Sequence, residues 1–225
     1  FPTPEKMLSP PIIAVDDVSV GYDPKKPVLN RVTLRIDTDD RIALLGSNGN
    51  GKSTLVKLLA GKLQPFSGRV TRAEKLSVGY FAQHQVDELN LDGSPYDHIR
   101  KLMPDAPETK VRGRTGAIGF SGKAGDTLVR SLSGGEKARL LLGLATFYGP
   151  NMIILDEPTN HLDIDSRAAL AEAVNDFPGA VIMVSHDRYL IEACADQLWV
   201  VANHTVTPYD GDLDDYRKMV LSIGD

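Results

Sequence analysis

The sequence predicts an α/β fold with a parallel-core sheet, an antiparallel β-subdomain and a helical subdomain. Three observations carry this. A glycine-rich loop at residues 46–53 stands between the apolar run 41–45 and a helical pattern at 54–61, the strand-loop-helix order of an α/β unit. Residues 152–155 and 180–184 are continuous apolar runs, as in parallel strands covered on both faces. Helical patterns at 134–147, 165–176 and 187–195 lie around those runs, giving a doubly wound sheet with its chemistry at the carboxyl ends of strands.

Residues 1–11 are rich in proline and lack hydrophobic periodicity, so they read as the end of a tether, with packing expected from Ile12. Residues 12–22 and 28–36 alternate apolar and polar side chains about the turn Asp23-Pro24-Lys25-Lys26-Pro27, which suggests a small antiparallel sheet. The helix after the glycine loop is expected to stop at Gly61. Further strands are expected at 68–70 and 76–82. Residues 94–130 mix a short helical pattern with glycine-rich connections and no strong strand, so they read as a largely helical insert. With the helix that follows, this insert makes a helical subdomain at approximately 94–147.

A chain of 225 residues can bury a full core as one large domain or as a domain with a subdomain. Its single cysteine, Cys194, forbids an internal disulfide, suits a reducing cytoplasm and reads as a small buried hydrophobe in a helix. No apolar stretch approaches the roughly 18 residues needed to span a bilayer. The opening Phe1-Pro2-Thr3-Pro4 is neither an initiator methionine nor a signal sequence, so a piece of a longer cytosolic polypeptide is expected. A formal charge of −5 argues against a general electrostatic grip on nucleic acid while leaving room for local basic patches.

The loop Gly46-Ser47-Asn48-Gly49-Asn50-Gly51-Lys52-Ser53 is a Walker A phosphate loop. Its glycines allow a tight turn in which successive N–H groups point at phosphate oxygens. Lys52 reaches the β/γ-phosphates, Ser53 offers its hydroxyl to Mg²⁺, and Thr54 follows in the same helical turn. Asp156 and Glu157 end the run 152–155, two adjacent carboxylates at a strand tip whose side chains point in different directions. Asp156 is assigned to Mg²⁺ and Glu157 to the attacking water; a solvated acidic turn would be the reading if no phosphate loop were present. Ser133, Gly134 and Gly135 precede a strongly apolar helix and form either a second anion site at a helix N-terminus or a plain cap with Glu136 in the first turn.

The order Walker A, Gln83, Leu132-Ser133-Gly134-Gly135-Glu136, Asp156-Glu157 and His186 resembles the nucleotide-binding domain of ATP-binding cassette (ABC) proteins from about Ile12 onward. The resemblance implies that two such domains pair head to tail, with the Ser133 motif of one capping the γ-phosphate held by the Walker A loop of the other. It also implies that Tyr22 stacks on adenine and that Gln83 senses Mg²⁺ and the attacking water. By the same resemblance His186 contacts the γ-phosphate, and Asp163 lies in the loop that crosses the dimer interface. Taken alone, each of these four residues has a plain structural reading: a surface aromatic, a loop glutamine, a surface histidine and a helix-cap aspartate.

The sequences 155–163, 133–139 and 185–190 look like the F-type subfamily (ABC-F), soluble proteins with two cassettes in one chain, several of which act on the ribosome as translation or antibiotic-resistance factors. The proline-rich opening resembles the end of the linker into their second cassette. The resemblance therefore implies residues 12–225 as a carboxyl-terminal cassette, ATP and Mg²⁺ as cofactors, and an amino-terminal ABC domain of the same full-length chain as partner. It also implies the ribosome as a client, no membrane, a cytoplasmic location, and an ATP-dependent head-to-tail homodimer as possible for the isolated domain. Residues 196–201 and 209–216 fit the closing strands and short helix of such a cassette. Two competitors stay open at this level. One is the cytosolic motor of a membrane transporter, with the 94–130 insert holding a transmembrane partner. The other is a non-enzymatic module that keeps ATP as structural glue.

Overall fold

A computed structural model describes Phe1 and residues 8–223, apart from the side chains of Gln83 and Ile223. Residues 2–7, most of the expected tether, lie outside the described residues. Alternation at the start of the chain gives β1 (Ile13–Val20) and β2 (Leu29–Ile36), antiparallel with Ile13 opposite Ile36 and Val20 opposite Leu29. A third strand, β4 (Ser67–Arg72), pairs antiparallel with the other edge of β1, so the sheet order is β2-β1-β4. Leu8 already packs against the core beneath this sheet, ahead of the expected start at Ile12.

The second sheet has the order β5-β6-β7-β3-β8-β9. Its members are β3 (Arg41–Leu45), β5 (Val78–Ala82), β6 (Met152–Asp156), β7 (Ala180–Val184), β8 (Gln197–Ala202) and β9 (Thr205–Tyr209). The first five run parallel, and β9 returns antiparallel to β8 through Asn203 and His204, both in the left-handed region as a tight two-residue hairpin requires. The apolar runs behave as their composition dictates. Ile153, Leu155, Val181, Met183, Ala43 and Leu45 point into one core, and Met152, Ile154, Ala180, Ile182, Ile42 and Leu44 into the other. Side chains alternate across a strand, so a sheet with both faces covered needs apolar residues at every position.

Seven helices complete the described residues: α1 (Lys52–Leu59), α2 (Pro95–Leu102), α3 (Glu108–Ala117), α4 (Gly134–Ala145), α5 (Ile164–Asn175), α6 (Arg188–Cys194) and α7 (Leu213–Ile223). The antiparallel sheet and α1 cover one face of the parallel sheet; α4, α5 and α6 cover the other. Gly61 ends the α1 turn in the left-handed region, the stop expected from the sequence. The expected insert is helical: α2, α3 and short 3₁₀ turns, packed on a small core of Ile99, Val111 and Phe147. Arg112 lies 4.1 Å from the Tyr96 ring centroid and pairs with Asp126 at 2.8 Å, which fastens the insert's two halves. Among the described residues no helix is long and apolar enough to cross a membrane.

Candidate functional site

Strand order builds the site. Because β6, β7 and β3 are neighbours, their carboxyl tips set Asp156 and Glu157, Ser185 and His186, and the loop 46–51 side by side, although these residues are far apart in the chain. Gly46 has φ 144°, and a Cβ there would stand 2.4 Å from the Val201 carbonyl oxygen, so only glycine lets the chain leave β3 past β8. Gly51, φ 105°, begins α1 without any side-chain cap, and the first turn of α1 holds no acidic residue. By contrast α2, α4, α5 and α6 are capped by Ser94, Ser133, Asp163 and Asp187. The open N–H groups of α1, with the helix dipole behind them, make a cradle for an anion.

Lys52 is 7% exposed, and its ammonium donates to the Gly46 carbonyl at 2.7 Å. It also lies 3.5 Å from His186 Nε2. Burial pulls its pKa down, while Glu157 and then Asp156 pull it up. The cation is thus buried beside two carboxylates, a place where added phosphate oxygens would find it ready. Asn50 donates to Ser47 Oγ at 2.6 Å and braces the loop, whose Ser47, Asn48 and Gly49 are exposed. Ser53 is exposed and Thr54, next to it, is buried.

Asp156 accepts the Tyr80 hydroxyl on Oδ2 at 2.6 Å, which leaves Oδ1 for another partner. Glu157 has φ 47°, a left-handed conformation that costs a residue with a Cβ about 1–3 kcal/mol. Its N–H donates to the Val184 carbonyl at 2.8 Å, so the chain folds over the tip of β7 and the carboxylate comes to 3.6 Å from His186 Nε2. The two adjacent carboxylates do diverge; a left-handed turn achieves it, since β6 ends at Asp156.

Tyr22 is 62% exposed. Lys57 on α1 donates to its hydroxyl at 3.0 Å and lies over the ring, 5.3 Å from its centroid. Lys57, then Thr54, lowers the phenol's pKa against the opposing effect of burial. Ser133 and Asp163 belong to a second group. Ser133 Oγ accepts from Glu136 N–H at 3.1 Å while Glu136 accepts from Ser133 N–H at 3.2 Å, a reciprocal cap. Asp163 accepts from Ser166 N–H at 2.8 Å. Gly135 lets the two helix starts touch, because a Cβ there would stand 2.3 Å from Ser166 Oγ, and Gly134 lies against Leu162. The capping alternatives read from the sequence for Ser133 and Asp163 are therefore realised within the chain. Gln83 follows β5 at the start of a 3₁₀ turn; its side chain lies outside the described residues.

Three partners escaped the sequence reading. Lys57 is a helix-surface lysine whose link to Tyr22 crosses between subdomains. Arg167 Nε donates to the Leu162 carbonyl at 3.1 Å and lies 3.6 Å from Asp187 Oδ2, tying the turn before α5 to the residue after His186. Tyr80 sits in an apolar strand and reaches Asp156 only because β5 pairs with β6. The donors fit Mg²⁺: hard oxygens of Ser53 and Asp156, the latter with one oxygen already held. Among the described residues no cluster of three or more His, Cys, Asp or Glu could hold a metal.

A family model described as ABC transporter matches residues 29–160. The probable ATP-binding protein YheS of Escherichia coli K12 is 46% identical over 223 residues, 99% of this chain and 35% of the relative. ABC transporter F family member 3 of Arabidopsis thaliana is 44% identical, covering 99% of this chain and 31% of the relative. Protein GCN20 of Saccharomyces cerevisiae is 41% identical, covering 100% and 30%. The chain thus spans about a third of the length of the curated relatives it matches. Among solved structures, cbiO1 from Clostridium perfringens, described as part of the ABC transporter complex cbiONQ, superposes with a TM-score of 0.78 at 24% identity, covering 94% of this chain and 93% of that one. A bacterial Atm1-family ABC exporter with ATP bound gives 0.70 at 22% identity, covering 96% and 41%. These last two likenesses are of fold.

Proposed function

Since the chain belongs to the ATP-binding cassette family and its relatives are of the F type, we propose that it is a Mg²⁺-dependent ATPase module, the carboxyl-terminal cassette of a longer cytoplasmic tandem protein that acts on the ribosome in translation. In this reading residues 12–225 are one cassette with a helical subdomain at approximately 94–147, and residues 1–11 end an interdomain linker.

The observation that carries the catalytic part is one line of contacts: Gly46 carbonyl to Lys52, 2.7 Å; Lys52 to His186, 3.5 Å; His186 to Glu157, 3.6 Å. Phosphate oxygens replace the Gly46 carbonyl as partners of Lys52, and the α1 N–H groups and the loop 46–51 cradle the rest. Adenine stacks on the exposed ring of Tyr22. Ser53, Asp156 and Gln83 would hold Mg²⁺, which would supply positive charge to offset that of the phosphates. Glu157, held rigid by its folded-over backbone, orients the attacking water and accepts its proton; His186, between Glu157 and Lys52, faces the γ-phosphate. Ser133, Gly134 and Gly135 of a paired cassette close the site from the other side, with Asp163 crossing the interface. The paired cassette is the amino-terminal domain in the full-length chain, or a second copy when the domain is isolated.

Hydrolysis by the full-length protein with and without Mg²⁺, compared with its Glu157→Gln variant, tests the enzymatic reading. The ribosomal reading is tested by co-sedimentation with ribosomes in ATP. Retention that is strengthened by Glu157→Gln supports it, and equal absence from the ribosomal pellet for both proteins defeats it.

A further inference from the structure

Tyr80 is the only described side chain bonded to the Asp156 carboxylate, and nothing in the reaction as set out above uses it. It lies on β5, where Tyr80 is in register with Ile154 of β6 and Ala82 with Asp156. In a parallel pair in register, Tyr80, Ala82, Ile154 and Asp156 face the same side of the sheet. The phenol therefore reaches diagonally, two residues toward the strand tips, and its hydroxyl meets Oδ2 at 2.6 Å. That is a short bond of the kind formed by a hydroxyl on a carboxylate.

The ring itself is held. It packs on the core shared with α1 and the antiparallel sheet, and Lys62, just past the end of α1, sits 4.5 Å from its centroid. Toward the carboxylate, an acceptor only, the phenol hydroxyl is the donor.

We propose that Tyr80 is a positioning residue for the metal: by occupying Asp156 Oδ2 it fixes the carboxylate plane and presents Oδ1 to the Mg²⁺ that accompanies the nucleotide. This rests on the assignment of Asp156 to Mg²⁺ in the proposed function. A carboxylate with two free oxygens and a rotatable χ2 offers a divalent ion several geometries, and Mg²⁺ tolerates few. Fixing one oxygen through a neutral donor removes that freedom without adding a competing charge. Partners of this outer kind typically change metal affinity by about 10–100-fold when removed.

The test is the affinity of the protein for ATP, measured by calorimetry over a Mg²⁺ titration and again in EDTA, for wild type, Tyr80→Phe, Asp156→Asn and the double variant. Tyr80→Phe keeps the ring and its packing. It is expected to raise the Mg²⁺ concentration for half-effect about tenfold, to leave affinity in EDTA within twofold, and to add nothing on the Asp156→Asn background. A loss of affinity that is the same with and without Mg²⁺ would mean that Tyr80 is structural, and would overturn the proposal. So would an unchanged Mg²⁺ dependence in Tyr80→Phe while Asp156→Asn shifts it, with the assignment of Asp156 left standing. If Asp156→Asn is silent too, the metal assignment itself falls and the proposal with it. Thermal melts in EDTA accompany each variant, and Tyr80→Trp, which retains a buried aromatic donor at a different reach, serves as a second variant expected to show the same Mg²⁺-specific defect.

Discussion

Replacing Lys52 by alanine removes the one buried ammonium in the phosphate site. Its present partners are the Gly46 carbonyl at 2.7 Å and, more loosely, His186 at 3.5 Å. With nucleotide bound, the same group would make one or two charge-assisted bonds to β- and γ-phosphate oxygens, each contributing about 1.5–3 kcal/mol. A loss of about 3–5 kcal/mol corresponds to a dissociation constant raised between about a hundredfold and several thousandfold. The substitution acts in the same direction through Glu157 and Asp156, whose negative charge is then left facing the phosphates without the cation that both now stabilise. It also leaves the buried Gly46 carbonyl without its side-chain donor, at about 1–3 kcal/mol of stability. Lys52→Met keeps most of the volume and separates packing from charge. Calorimetric titration with Mg-ATP, alongside thermal melts without nucleotide, measures both effects. An affinity within threefold of wild type in a folded Lys52→Ala protein would refute the phosphate-loop chemistry.

Three further outcomes are expected. Glu157→Gln should bind ATP with near-wild-type affinity yet lose hydrolysis by at least a hundredfold, since the amide keeps the shape without the base; single-turnover assays giving wild-type rates would move that role elsewhere. Ser133→Arg should abolish any rise of specific activity with protein concentration and any Mg-ATP-dependent dimer of the Glu157→Gln protein seen by light scattering. Activity that stays constant on dilution from a monomer would contradict a site completed by a second copy. The Cys194 thiol donates to the Ala171 carbonyl at 3.6 Å, and burial pushes its pKa from 9.0 to about 11. Because the folded value is raised, the associated stability is complete below pH 9 and is lost as pH rises toward 11. A Cys194→Ala variant should lack that component in denaturant titrations across the window, and native Cys194 should resist thiol reagents at pH 7–8 until urea is added.

Much of the fold was legible because its signals are local. The apolar runs at 152–155 and 180–184 could be placed as strands covered on both faces, since a sheet with core on either side takes an apolar side chain at every position and runs of four or five residues are too short for a buried helix. Gly61 as a stop, the alternation before residue 36 and the helical character of 94–130 are likewise written in neighbouring residues, and the structure realises all three. Lys52, Asp156 and Glu157 could be singled out because each sits in a motif with its own spacing, whereas His186 stands out only through the resemblance to ABC cassettes.

What only the tertiary structure decided is who stands beside whom. The order β5-β6-β7-β3 brings Glu157 to His186 and His186 to Lys52, and it sets Tyr80 against Asp156; strand order is fixed by packing and crossover geometry, which no short window of sequence contains. The left-handed backbone of Glu157 belongs to the same class, for nothing in Asp156-Glu157-Pro158 marks it, and it exists because the Val184 carbonyl is there to receive the Glu157 N–H. Sequence determined which residues are the candidates for the chemistry, because motifs are covalent neighbours; the structure decided their distances and the donors that hold them, because those depend on contacts across the whole sheet.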